Sequence, residues 1–211
     1  QANYANCDFQ GLDCGAVARI APLVLARPQG GDPRALHFVV MAARITHAHP
    51  LCSLTSLGFA ALLWDLLASP TPPSPHFYLE RFLDVIAPIE PQESRVSPDR
   101  GPLDGWQGRF SDYLCQIVLQ ARQQSLTPEQ ARNYFGQEDC LLQAIPYWLY
   151  LLECHAHQPK LALNHFSSPW VGALLGASLG ALHGRFPEWQ LASDCEQLLA
   201  QLAPSSSSSA T

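Results

Sequence analysis

Thr46-His47-Ala48-His49-Pro50 sets two imidazoles two residues apart where one helix ends and the next begins at Pro50. Imidazole titrates near neutrality, so His47 and His49 are candidates for binding a metal or an anionic ligand, or for moving a proton. The simpler alternative is a pair of cationic side chains capping the C-terminal end of the preceding helix. Cys14 lies in Leu12-Asp13-Cys14-Gly15-Ala16, at a helix start. That position lowers a thiol pKa and suits a nucleophile, provided that a base such as His47 is brought within reach. A more modest role for the same segment is a phosphate held by backbone N–H groups near Gly15. Cys154-His155-Ala156-His157 offers donors of the kind zinc takes. No second Cys/His pair has matching spacing and Cys195 stands alone, so incidental histidines at a helix end are the preferred reading. Glu138-Asp139, and Glu90 with Glu93, lie in polar stretches and read as solvated. The chain has no Walker loop, no G-x-S-x-G, no His-Glu-x-x-His and no dinucleotide glycine fingerprint.

The elements that must position these groups are helices. The chain holds 32 leucines and 26 alanines against 8 valines, 6 isoleucines and 5 threonines. Leu and Ala lose little in a helix, whereas β-branched residues favour sheets, so an all-α fold is expected. Helices are predicted over 15–27, 32–47 (Asp32 as cap, Pro33 in the first turn), 50–68, 75–87 and 106–124. Residues 50–68 are apolar on nearly every side, as a central helix would be. In 106–124 the apolar face is Phe110, Tyr113, Leu114, Ile117, Val118 and Ala121. Thr127-Pro128-Glu129-Gln130 has the order of a capped helix start. Further helices are expected over 140–153, 159–163, 169–183 and 187–202, with a long surface loop over 88–105. Gly172, Gly176, Gly180 and Gly184 recur every fourth residue, so they share one helical face. Each glycine costs about 1 kcal/mol of helix propensity relative to Ala. The stripe therefore predicts a buried central helix whose neighbours approach closely.

The 211 residues suit one all-α domain over 1–202, with residues 203–211 (APSSSSSAT) as a disordered tail. Charged residues are 14% of the chain, the net charge is −6 and Lys160 is the only lysine. Such a chain lacks the electrostatic footprint for nucleic acid or an anionic bilayer. No run of about 20 apolar residues is free of charge, so no membrane span is expected. Residues 1–10 carry neither the basic segment nor the apolar run of a secretory signal. Seven well-separated cysteines fit a reduced, cytoplasmic protein better than a disulfide framework.

Several segments, in order, resemble the ADP-ribosylglycohydrolase family. Asp13-Cys14-Gly15-Ala16-Val17-Ala18-Arg19-Ile20-Ala21-Pro22-Leu23 resembles its G-N-G-A-x-M-R-x-A-P-L element, and Ile45-Thr46-His47-Ala48-His49-Pro50 its T-H-x-H-P element. Ala144-Ile145-Pro146-Tyr147-Trp148-Leu149 is similar to its V-P-x-A-L helix. The glycine stripe with Pro187 and Trp189 resembles the closing I-A-G-A-L-x-G-A-x-x-G…I-P-x-x-W signature. The resemblance implies an orthogonal helical bundle. It also implies a cleft that in active relatives holds ADP-ribose and two Mg²⁺ or Mn²⁺ ions for glycosidic cleavage.

The chain departs from that pattern where the ions would be bound. The family carries G-G-D-T-D-T before the final helix, and counting back from Gly172 sets Leu163 and His165 where its two aspartates stand. Leucine has no donor, and histidine is a poor ligand for a hard cation. The T-D-D-T motif expected upstream of Gly11 is not in the chain, which has no Asp-Asp pair. Two readings follow from the resemblance. In the first, the scaffold is kept and the binuclear site and hydrolase activity are lost, so that no cofactor is needed; the cleft then binds an ADP-ribose-like ligand through Cys14, Gly15 and His47, or a partner protein. In the second, an active hydrolase uses altered ligands with Mg²⁺ or Mn²⁺. The first is preferred, because lost carboxylates remove the main attraction for the ions. A regulatory interaction protein, using 88–105 and the serine tail for contacts, is a third class.

Overall fold

The computed structural model describes residues 11–92, 95–98, 102–136, 140–165 and 168–184. The helix expected over 187–202, the tail, Glu93, Glu138-Asp139, Pro187 and Trp189 lie outside them. The fold is all-α. Its centre is α4 (Pro50–Ala68), which packs against α1 (Gly15–Ala18), α2 (Ala21–Leu25), α3 (Pro33–Arg44), α5 (Phe77–Ile86) and α10 (Pro169–His183). By length and composition α4 could cross a membrane. Here its apolar sides are covered by the other helices, from Leu51 to Leu66.

Local chemistry sets the ends of the helices. Asp32 Oδ1 accepts the Ala35 N–H at 2.7 Å and Pro33 occupies the first turn, so α3 starts where the sequence predicts. The single helix expected over 15–27 is instead α1 and α2, broken at Arg19-Ile20. Pro22 explains the break: it has no N–H, and its ring collides with a helical carbonyl four residues back, at Ala18.

The stretch 88–105 is more than the surface loop expected. Arg95–Val96 (β1) pairs antiparallel with Gly108–Arg109 (β2), and Val96 and Leu103 are buried. Glu90, expected to be solvated, has a fully buried side chain. It accepts N–H bonds from Phe110 at 2.5 Å and Ser111 at 3.2 Å. These are first-turn donors of α6 (Phe110–Gln123), whose own cap residue, Arg109, supplies no side-chain acceptor. A buried carboxylate is tolerated there because it satisfies donors that the helix leaves unpaired and is paired with the Arg109 guanidinium, 3.5 Å away.

The apolar face predicted for α6 is buried in full. α7 (Pro128–Phe135) opens with a complete capping box between Thr127 and Gln130. α8 (Leu141–His155) carries Trp148, which meets Phe59 and Phe82 edge-on at centroid distances of 5.5 and 5.9 Å. Its indole N–H donates to Ser178 Oγ on α10 at 3.2 Å, and that hydroxyl donates to the Leu174 carbonyl at 2.8 Å.

α10 departs from the expectation of a buried central helix. Among the described residues it buries Val171, Leu174, Leu175, Ser178 and Leu179, while Ala177 and Ala181 pack against the same core and Gly176 and Gly180 are half-buried. A Cβ built on Gly176 or Gly180 would meet no described atom within 4 Å. The leucines, not the glycines, mark the face turned to the core, and the central position belongs to α4.

Candidate functional site

The two chain segments singled out for their chemistry meet at one end of α4. Leu12 and Asp13 run beside the start of α8: the Leu141 N–H donates to the Leu12 carbonyl at 2.6 Å, and Asp13 bridges to Cys140. Cys52, in the first turn of α4, donates its thiol to the Gly11 carbonyl at 3.5 Å. Burial, with the nearby Asp13 charge and Cys140, pushes that thiol up to about 12, so it stays protonated.

Asp13 and His47 form the centre of the site. His47 Nε2 lies 2.6 Å from Asp13 Oδ2, and the Gly15 N–H donates to Asp13 Oδ1 at 2.7 Å. Burial by itself would raise the Asp13 carboxyl. The hydrogen bonds from His47 and Gly15, with the His47 and Arg19 charges, outweigh burial and hold it below the usual carboxylate value. On its other side, His47 Nδ1 is 2.7 Å from Thr46 Oγ1. In neutral His47 the Nε2–H therefore donates to the carboxylate, and Nδ1 accepts from the Thr46 hydroxyl. With both ring nitrogens engaged, the imidazole is held in orientation.

The remaining candidates fall around this pair. Cys14 caps α1, and its side chain is fully buried. Gly15 is half of a tight contact: a Cβ there would lie 2.7 Å from Asp13 Oδ1 and 3.4 Å from the Trp170 ring. Its N–H is already given to Asp13. His49 is a cap, though of a different kind from the cationic C-terminal one considered. Its Nδ1 accepts the Leu51 N–H at 3.2 Å at the start of α4, and burial lowers its pKa, so it serves as a neutral acceptor.

Trp170, on α10, escaped the sequence reading. It is 37% exposed, and the edge of its ring borders Gly15, on which Asp13 Oδ1 also closes. Its signal in the sequence was a tryptophan just after Pro169, at a helix start.

Leu163 and His165, which the ungapped count from Gly172 sets where the family's two aspartates are expected, bring no carboxylate to the site. Leu163 closes α9 (Pro159–Leu163), packs against the core and has no donor atom. The His165 carbonyl accepts from the Tyr147 hydroxyl. His155 is lowered by burial and by the neighbouring His165. Among the described residues no three His, Cys, Asp or Glu side chains gather as a metal site. That statement includes Cys154-His155-Ala156-His157 at the end of α8.

The whole chain carries one more mark. The sequence profile of the ADP-ribosylglycohydrolase family matches residues 2–208. The protein belongs to the ADP-ribosylglycohydrolase family. No curated protein is a significant match. The two segments that resemble the family's G-N-G and T-H-x-H-P elements are the ones that meet here, at Asp13–Gly15 and at Thr46-His47.

Proposed function

We propose that this ADP-ribosylglycohydrolase family member is a receptor for an ADP-ribose-like nucleotide that works without a binuclear metal site. The observation that carries this reading is the juxtaposition, across Gly15, of a half-exposed Asp13 carboxylate and the exposed ring of Trp170. A carboxylate oxygen keeps spare lone pairs after one hydrogen bond, and these can accept from ribose hydroxyls. An indole face stacks on a nucleobase, an interaction worth about 1–3 kcal/mol. Cys14, Gly15 and His47 form the base of this site: the first two fix the turn, and His47 aims the carboxylate. The absence of an oxygen donor at Leu163 supports binding independent of Mg²⁺.

Calorimetry with ADP-ribose in EDTA and in Mg²⁺ tests the reading. The expected result is binding of similar strength in both, weakened about tenfold or more by Trp170→Ala. Metal-dependent binding with turnover would establish a hydrolase instead. No heat at millimolar nucleotide would leave the interaction-protein reading.

A further inference from the structure

α3 turns an apolar stripe to the outside of the fold. Ala35, Val39 and Ala43, four residues apart, are its buried positions. The opposite side of such a helix is ordinarily polar. Here it carries Phe38, Met41 and Ile45, at spacings of three and four, and these are 50, 49 and 57% exposed. Leu23 of α2, also exposed, extends the stripe: it lines one cavity of about 230 Å³ with Phe38, Ala35 and Val39. Single exposed apolar residues are common on a protein surface, whereas a joined stripe marks a place of contact.

The charges around the stripe are almost all of one sign. Residues 19–45 hold Arg19, Arg27, Arg34 and Arg44 against one carboxylate, Asp32, in a chain whose net charge is −6. Asp32 is engaged as the cap of α3. Arg34 and Arg44 are exposed on α3 itself, and the Arg27 guanidinium lies 5.2 Å over the Phe38 ring. The stripe is thus a basic, apolar island on an acidic protein. An acidic partner is attracted to it and repelled by the rest of the surface, which fixes where it docks. From Phe38 to Ile45 the stripe runs about 10 Å along the helix axis. That length suits two turns of a partner helix with apolar residues at i, i+3 or i+4, and i+7. An anionic bilayer is a broad plane and would meet the acidic remainder of the surface as well.

We propose that Leu23, Phe38, Met41 and Ile45 form the docking surface for an acidic amphipathic helix of a partner protein. The apolar side of that helix covers the stripe, and its carboxylates reach Arg27, Arg34 and Arg44.

The test is a selection on the full chain from a phage-displayed library of random peptides about 16 residues long, counter-selected against Phe38→Ala with Met41→Ala. Both residues are exposed, so the double variant should keep the melting temperature of the wild type. The enriched peptides are expected to be acidic, with apolar residues at helical spacing. By fluorescence anisotropy they should bind the double variant at least about tenfold more weakly than the wild type. Arg34→Glu with Arg44→Glu should weaken them by a similar factor, as should added salt. The arginine pair carries the test alone should the double variant lose stability. Enriched peptides that are neutral or basic, equal binding to wild type and variants, or no enrichment would each overturn the proposal. So would cosedimentation of the chain with phosphatidylserine-containing vesicles that the double variant abolishes, which would make the face a membrane contact. A dimer in sedimentation velocity that the double variant dissolves would overturn it too, by assigning the face to a second copy.

Discussion

Asp13 and His47 are 34 residues apart in the chain and 2.6 Å apart in the fold, and this pair joins the turn before α1 to the end of α3. Its consequence for acid stability has a definite sign. The carboxyl is held below its unfolded value of about 3.9. The stability it adds is therefore complete above that unfolded value and is lost as pH falls through the lower, folded one. Urea unfolding of the wild type and Asp13→Asn should differ in full above the unfolded carboxyl value, and the gap should close as pH falls through the lower, folded one. The Asp13 side chain is 46% exposed, so added salt should narrow the gap at neutral pH. A gap that widens in acid would contradict the pairing.

Glu153 on α8 is 4% exposed and takes a two-pronged bond from Arg122 on α6, at 2.5 Å from Nη2 and 3.2 Å from Nε. Arg122→Ala strands that carboxylate in the core and should cost about 3–5 kcal/mol in denaturant titration. Replacing both partners by apolar residues of similar size removes the stranded charge along with the bond. Arg122→Met with Glu153→Leu should therefore recover most of the loss, and its effect should fall well short of the sum of the single variants.

What the sequence could specify was local. Thr127 and Gln130, and Asp32 and Pro33, lie within one turn of the donors they serve, so their types and spacing define the caps. The apolar face of α6 is likewise a matter of period. The Asp13–His47 pair and the Glu90 cap depend on groups brought together from 34 and 20 residues away, and no spacing encodes such an approach. His49 was legible as a cap but not as to which helix it serves, because a residue between two helices can face either one. The glycine stripe predicted a close approach that no described residue makes at Gly176 or Gly180.

Glu90 gives a prediction of its own. Its carboxylate receives both the Phe110 and Ser111 N–H groups while buried beside α6. Glu90→Ala removes the acceptor for both donors and should cost about 1–2 kcal/mol, the upper range for loss of a helix cap. Glu90→Gln keeps an oxygen in place but not the charge that favours a helix start, and should cost less. Hydrogen exchange locates the effect: in Glu90→Ala, protection should fall first in the opening turn of α6. Uniform loss along the chain would mean that Glu90 acts on the whole fold rather than on that turn.

The Trp148–Ser178 bond ties α8 to α10 in a region where neither group meets water. Ser178→Ala removes an acceptor of almost no volume, so packing around Phe59 and Phe82 stays as it is while the indole N–H is left unpaired. The expected cost is about 1–3 kcal/mol, the penalty for stranding a buried donor. Trp148→Phe deletes the donor itself but also leaves a void, so it should cost a comparable amount by a different route. The two causes separate in the double variant: once the indole is gone, Ser178→Ala has no donor to strand and its further cost should shrink. Denaturant titrations of all four proteins measure that coupling. Simple additivity would mean that the serine serves α10 alone, through its bond to the Leu174 carbonyl.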